Sequence, residues 1–170
     1  FFPEEDAARF WGGFKEFGVF FLQLFEASSC TYTYVVADAA SGDAVIIDPV
    51  LETVPRDLRL IQELGLNLRY AANTHCHADH VTGSGSLRRA LGCVSAISRA
   101  SGACADWLLG EGDEIKFGNF VKFPVAAVTP LTPPPPLSLS APPPSGCART
   151  LHRSVHERIF TLPESCRLYP

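Results

Sequence analysis

The pattern of apolar and polar positions predicts strands first and helices after them. Val19 to Phe25 and Thr31 to Ala37 are apolar, aromatic or β-branched, and Ala27-Ser28-Ser29 between them predicts paired, buried strands. Ser41-Gly42-Asp43 reads as a turn, and Ala44 to Ile47 as a third strand ending at Asp48-Pro49. A helix follows. Thr53 is its expected N-cap, Pro55 and Asp57 lie in its first turn, and Leu58, Ile61 and Leu64 recur at helical spacing until Gly65 stops it. Residues 68–74 read as a strand, 84–91 as a helix ending at Gly92, and Cys93 to Ile97 as another strand. Gly102 to Asp106 reads as a short helix or turn, and Asp113 to Val125 as a hairpin turning at Gly118-Asn119. This order predicts a layered α/β architecture. Residues 1–16 carry no period and read as an irregular lead-in.

Composition narrows the picture. A length of 170 residues fits one globular domain. The net charge of −4 comes without a basic stripe, which argues against a nucleic-acid partner. No apolar run reaches the ~20 residues that span a bilayer, since Gly18, Gln23 and Glu26 interrupt the aromatic stretch near the start. Six cysteines at irregular spacing, with no Cys-x-x-Cys pair, fit a reducing compartment better than a disulfide scaffold. The chain contains no methionine, so it is expected to begin after processing or to be a fragment or incomplete gene product, and Phe1 to Lys15 has no shape of a targeting segment.

The chemistry concentrates in Thr74-His75-Cys76-His77-Ala78-Asp79-His80, at the junction of a predicted strand and a predicted helix. Residues i and i+2 at an extended strand end point to one side, so His75 and His77 converge on one volume. Asp79 and His80 then leave the following turn near a helix start. This pattern points to a metal site; the plainer alternative is a polar loop in which His77 or His80 caps the helix. Imidazole nitrogens suit zinc or iron, and added carboxylates shift the choice toward iron or a two-metal hydrolase. Asp48 ends an apolar strand, where a bare carboxylate is costly. It reads either as a carboxylate orienting a motif histidine through its free ring N–H, or as a helix-capping or turn aspartate before Pro49.

The run from Asn73 to Gly85 resembles the metallo-β-lactamase superfamily. Phe25-Glu26, Ser29-Cys30-Thr31-Tyr32-Thr33-Tyr34 and Ile47-Asp48-Pro49-Val50-Leu51-Glu52-Thr53 narrow the resemblance to one branch, the mitochondrial persulfide dioxygenases. Leu151 to Pro170, with Ser154-Val155-His156-Glu157 and Ile159-Phe160-Thr161-Leu162-Pro163, is similar to a later portion of that family. The resemblance implies an αββα sandwich with its metal cleft along one edge. It implies oxidation of glutathione persulfide by dioxygen, giving sulfite and glutathione in mitochondrial sulfide disposal, at a single ferrous ion. The matrix location rests on the resemblance alone.

The family pattern breaks after Val128. Eight of the fifteen residues from Pro130 to Pro144 are proline, a composition that cannot supply helix or ladder hydrogen bonds. It reads as an extended connector rather than a proline-rich recognition ligand, because no basic residue flanks Pro133-Pro134-Pro135-Pro136. Such Pro/Leu/Ser runs are what a pyrimidine tract before a splice acceptor encodes, so residues 127–145 read as translated intron. The expected division is a lead-in at 1–16, the N-terminal part of the sandwich at 17–128, a proline-rich insert at 129–145 and a remnant of the C-terminal part at 146–170. The sandwich is thus expected to be incomplete in its C-terminal half.

The resemblance assigns the iron to two histidines and one aspartate, and only the first of these maps here, onto His75. A later Ser-Pro-Gly-His-Thr-Pro-Gly turn and a Gly-Asp have no counterpart, and the chain stops at Leu168-Tyr169-Pro170, before the family's Ala-His-Asp-Tyr. By the same resemblance, His77, Asp79 and His80 match positions that are not iron ligands in that branch; in its two-metal hydrolase relatives, His77 joins the first metal and Asp79 and His80 hold the second. His152 and His156 share a face of an expected helix from Arg149 to Phe160 but are not expected to replace the ligands. The expected outcome is a chain inactive or weak as a dioxygenase. Two rivals are a glyoxalase II-type thioester hydrolase with two metals and a non-catalytic interaction fragment. A homodimer through exposed strand edges is a further expectation.

Overall fold

The computed structural model describes residues 18–77, 79–110, 112–118, 121–124, 152 and 155–161. Its centre is a six-stranded sheet, β1 (Val19–Glu26), β2 (Thr31–Asp38), β3 (Asp43–Ile47), β4 (Asn67–Asn73), β5 (Val94–Ser98) and β6 (Trp107–Leu109), in that spatial order. β1, β2 and β3 pair antiparallel, joined by tight turns; β3 to β6 pair parallel. Two parallel crossovers carry helices: α1 (Val54–Glu63) joins β3 to β4, and α2 (Ser84–Leu91) joins β4 to β5. β7 (Glu114–Phe117) and β8 (Val121–Pro124) form a separate antiparallel pair, with Phe117 opposite Val121.

Strand alternation sorts the sheet into two faces. Val35, Ala37, Ala44, Ile46 and Ala71 pack with Ile61 of α1 and Leu87 of α2. Their neighbours Tyr34, Val36, Val45, Ile47 and Ala72 point the other way, against Ile115 and Phe117 of β7. Helices therefore cover one face and the hairpin the other, an α/β layering in which the second sheet is represented by the hairpin.

Several local expectations need correction. β1 is an edge strand, so apart from buried Leu22 its residues are half-buried or exposed rather than enclosed. Thr53 occupies the N-cap position of α1, but its hydroxyl donates to the carbonyl of Val50 at 3.1 Å instead of capping the helix. The turn expected at 102–106 comes earlier, as a 3-10 turn at Arg99–Ser101 closed by Gly102, and β6 follows it. β6 was invisible because three residues are too short to show a period. The lead-in at 1–16, the translated-intron reading of 127–145 and the connector at 129–145 lie outside the described residues. Near the chain's end, a π-helical turn spans Val155–Ile159. No helix among the described residues is long and apolar enough to cross a membrane.

Candidate metal centre

The parallel register sets Ile47 of β3 beside Ala72 of β4, so both strands release their chains at the same edge. Asp48 leaves β3 there with φ of +50°, a left-handed conformation that aspartate tolerates better than most residues. Its N–H bonds the Ala72 carbonyl at 2.9 Å. That turn aims a buried carboxylate across the end of β4. Oδ1 accepts the Thr74 N–H at 2.7 Å, and Oδ2 accepts the Thr74 hydroxyl at 2.6 Å. Oδ1 also meets Nε2 of His77 at 2.9 Å. The carboxylate does not cap α1.

These contacts decide where each imidazole keeps its proton. A carboxylate accepts, so the His77 proton sits on Nε2 and the Nδ1 lone pair is free. The Thr74 hydroxyl spends its hydrogen on Asp48, so its oxygen accepts from Nδ1 of His75 at 2.8 Å. The free nitrogen of His75 is then Nε2. His80 Nδ1 lies 3.2 Å from the Thr31 hydroxyl and 3.3 Å from Oδ2 of Asp79, while its Nε2 is buried with no partner. Each motif histidine thus keeps one ring nitrogen outside this hydrogen-bonded support.

The rings gather closely. His75 and His77 have centroids 4.0 Å apart, and His77 and His80 have centroids 4.2 Å apart. Burial, and after it the neighbouring His77, lowers the pKa of His75 and favours the neutral ring that a metal requires. Asp79, half exposed, has its pKa lowered chiefly by the hydrogen bond to His80. Ligand atoms of His77, Asp79 and His80 all lie within 4.8 Å of one another, close enough to hold a metal ion. His75, His77 and His80 line one pocket of about 100 Å³ with Cys76, Thr82 and Cys104. The donor set fits a metal: two imidazoles and a carboxylate, with one of those imidazoles, His80, carrying a buried Nε2 that has no bond without a ligand.

His75, the ligand expected from resemblance, stands beside this compact group rather than within it. His152 and His156 stack on each other at 4.0 Å and are exposed, and neither belongs to the group. Two supports were missed in the sequence. Thr74 links Asp48 to His75, and Thr31, from the start of β2, reaches Asp79 and His80. Separations of 48 and 49 residues carry no local signal. A further link runs from Thr31 through the Ser29 hydroxyl to Glu26, whose pKa falls to about 2, first because of its Ser29 hydroxyl bond and then because of the Ser28 and Ser29 N–H groups.

A sheet with helices on one face, with clustered histidines at the carboxyl end of one strand and an aspartate supporting them from the end of its parallel neighbour, defines a metal-site α/β protein. The sequence pattern of the metallo-beta-lactamase superfamily matches residues 29–141, and the chain belongs to that superfamily. It is 50% identical over 167 aligned residues to the mitochondrial persulfide dioxygenases ETHE1 of Bos taurus and Homo sapiens, a match covering 87% of this chain and 66% of each relative. The crystal structure of ETHE1 from Myxococcus xanthus is 46% identical, with a TM-score of 0.56 over 58% of this chain and 44% of that one. The chain therefore spans just under two thirds of the length of the curated relatives.

Proposed function

We propose that this chain is a persulfide dioxygenase-type domain that is inactive or weak because its metal site lacks part of its donor set. The parent reaction is iron-dependent oxidation of glutathione persulfide by dioxygen to sulfite and glutathione, in the mitochondrial matrix. Support comes from the 50% identity to relatives named mitochondrial persulfide dioxygenases. One observation carries the reading: Asp48 and Thr74 each occupy one ring nitrogen of His77 and His75, leaving the other nitrogen of each ring with a lone pair for a metal, and both rings line one pocket.

In this reading His75 holds the single ferrous ion, with His77, Asp79 and His80 beside it. The metal, when bound, supplies Lewis acidity and dioxygen activation. The protein's part is to fix ring orientation through Asp48 and Thr74, to hold Asp79 and His80 through Thr31, and to admit the persulfide sulfur to the pocket. The weakness is proposed from the sequence. Between Glu114 and His152 there is no histidine, aspartate or glutamate, so the two remaining ligands of the resembled family have no counterpart there. The division into a sandwich part at 17–128, an insert at 129–145 and a remnant at 146–170 belongs to the same proposal, as does a homodimer formed at a sheet edge.

The test is oxygen uptake by the purified chain with glutathione persulfide and ferrous iron, beside the Bos taurus relative. The expected rate is lower by more than about 100-fold, since losing even an outer partner of a metal ligand costs about 10- to 100-fold. Turnover equal to the relative's would overturn the proposal. Hydrolysis of a glutathione thioester with bound zinc would favour the two-metal hydrolase instead.

A further inference from the structure

The four cysteines of the described residues are free thiols in different settings. Cys93 is buried, and burial pushes its thiol pKa up. Cys30 is exposed at the β1–β2 turn, its Sγ 3.7 Å from the Ala27 carbonyl. Cys76 and Cys104 line the imidazole pocket, Cys76 from between the histidines and Cys104 from the loop before β6. Cys104 is exposed, and Ala103 and Ala105 on either side of it in the chain also line the pocket. Opposite chemistry is present too. The His80 side chain is 3% exposed and lines this pocket, and its buried Nε2 has no hydrogen-bond partner. A buried polar nitrogen without a partner marks the pocket as a place for a ligand.

We propose that Cys104 is a sulfur-acceptor site, where a persulfide admitted to the pocket deposits its terminal sulfur. This rests on the reading that the chain's substrate class is a low-molecular-weight persulfide. Size supports it. Pockets that enclose a drug-sized molecule run to about 300–1,000 Å³, so a cavity of about 100 Å³ takes a two-sulfur tip but not a tripeptide. The peptide portion stays at the mouth, on the exposed side where Cys104 lies, and the tip and the thiol share one small volume.

The step balances without an outside oxidant. The Cys104 thiolate attacks the terminal sulfur of glutathione persulfide and a new S–S bond forms at Cys104. The persulfide's own S–S bond breaks, its electron pair leaves on the glutathione sulfur, and that thiolate takes the proton lost by Cys104. The products are a Cys104 persulfide and glutathione. Where the iron reaction is slow, transfer to Cys104 becomes the productive fate of the bound persulfide.

The full chain is incubated with glutathione persulfide without oxygen, capped with an alkylating reagent and mapped by peptide mass spectrometry. Cys104 should gain one sulfur about tenfold faster than Cys30, a thiol that is exposed but outside the pocket, equivalent to about 1.4 kcal/mol of barrier. Cys104→Ser should abolish that gain and leave the thermal melt unchanged, because the side chain is exposed. Equal rates at Cys30 and Cys104, or sulfur on Cys76 with none on Cys104, would overturn the assignment. Oxygen uptake is measured separately. Labelled Cys104 in a chain that consumes little or no oxygen sustains both the acceptor site and the reading of a weak dioxygenase; unlabelled Cys104 overturns the acceptor site whatever the oxygen uptake, and uptake equal to the relative's overturns the weak-dioxygenase reading whatever the label.

Discussion

Nε2 of His77 lies 2.9 Å from Oδ1 of Asp48, a residue 29 positions earlier that reaches it from the end of another strand. Both side chains are nearly buried, at 7% and 9% exposure, so the contact is shielded from competing water. Substituting Asp48→Asn keeps a residue that tolerates its φ of +50° while removing the charge. Metal affinity should fall by about 10- to 100-fold, as for other lost outer partners of histidine ligands. Titration of the chain and the variant with ferrous iron or zinc measures this, and unchanged affinity would show that Asp48 does not orient the site.

Gly118 tests how the hairpin docks on the sheet. It has φ of +63°, and an added Cβ would overlap the carboxylate of buried Asp38 in β2. Gly92 has φ of +70° with nothing within 4 Å of the added Cβ. Gly92→Ala should therefore cost only the left-handed penalty of about 1–2 kcal/mol. Gly118→Ala should cost that penalty plus displacement of Asp38, roughly 3 kcal/mol or more in total. Urea unfolding of both variants gives the comparison; equal losses would place the hairpin elsewhere.

Leu87 of α2 is fully buried between the helix layer and the sheet. Leu87→Ala should destabilise the chain by about 2–5 kcal/mol, the range for deleting a buried leucine side chain. Chemical denaturation reads this directly. A loss below ~1 kcal/mol would mean that α2 does not pack as described.

Acid stability carries a signature of Glu26. Its carboxyl is held down from 4.5 to about 2 by the Ser28 and Ser29 groups around it. A depressed folded-state pKa contributes stability that is complete above 4.5 and is lost as pH falls toward 2. Glu26→Gln should lack that part of the acid slope, so thermal melts of the two chains should converge at the acid end of this window. Parallel pH profiles would mean that the β1–β2 turn does not hold Glu26 as described.

Much of the fold is written in local pattern. β2, β3 and α1 follow from runs of apolar residues and from Pro55 and Gly65, because period and backbone restriction act within a few residues. β6 escaped, since its three residues gain their identity only from pairing with β5. Thr53 misled for a related reason: the sequence marks an N-cap position but cannot show that the Val50 carbonyl competes for the same hydroxyl.

At the site, the sequence alone determined which groups are present: three imidazoles and a carboxylate within six residues, at the mouth of a strand. Covalent spacing brings those together whatever the rest of the chain does. Tertiary structure decided their chemical state. The parallel register of β3 and β4 brought Asp48 to His77, and the start of β2 delivered Thr31 to Asp79 and His80. Which ring nitrogen holds a proton and which is free depends on partners far away in the chain, and only a folded sheet fixes such distances.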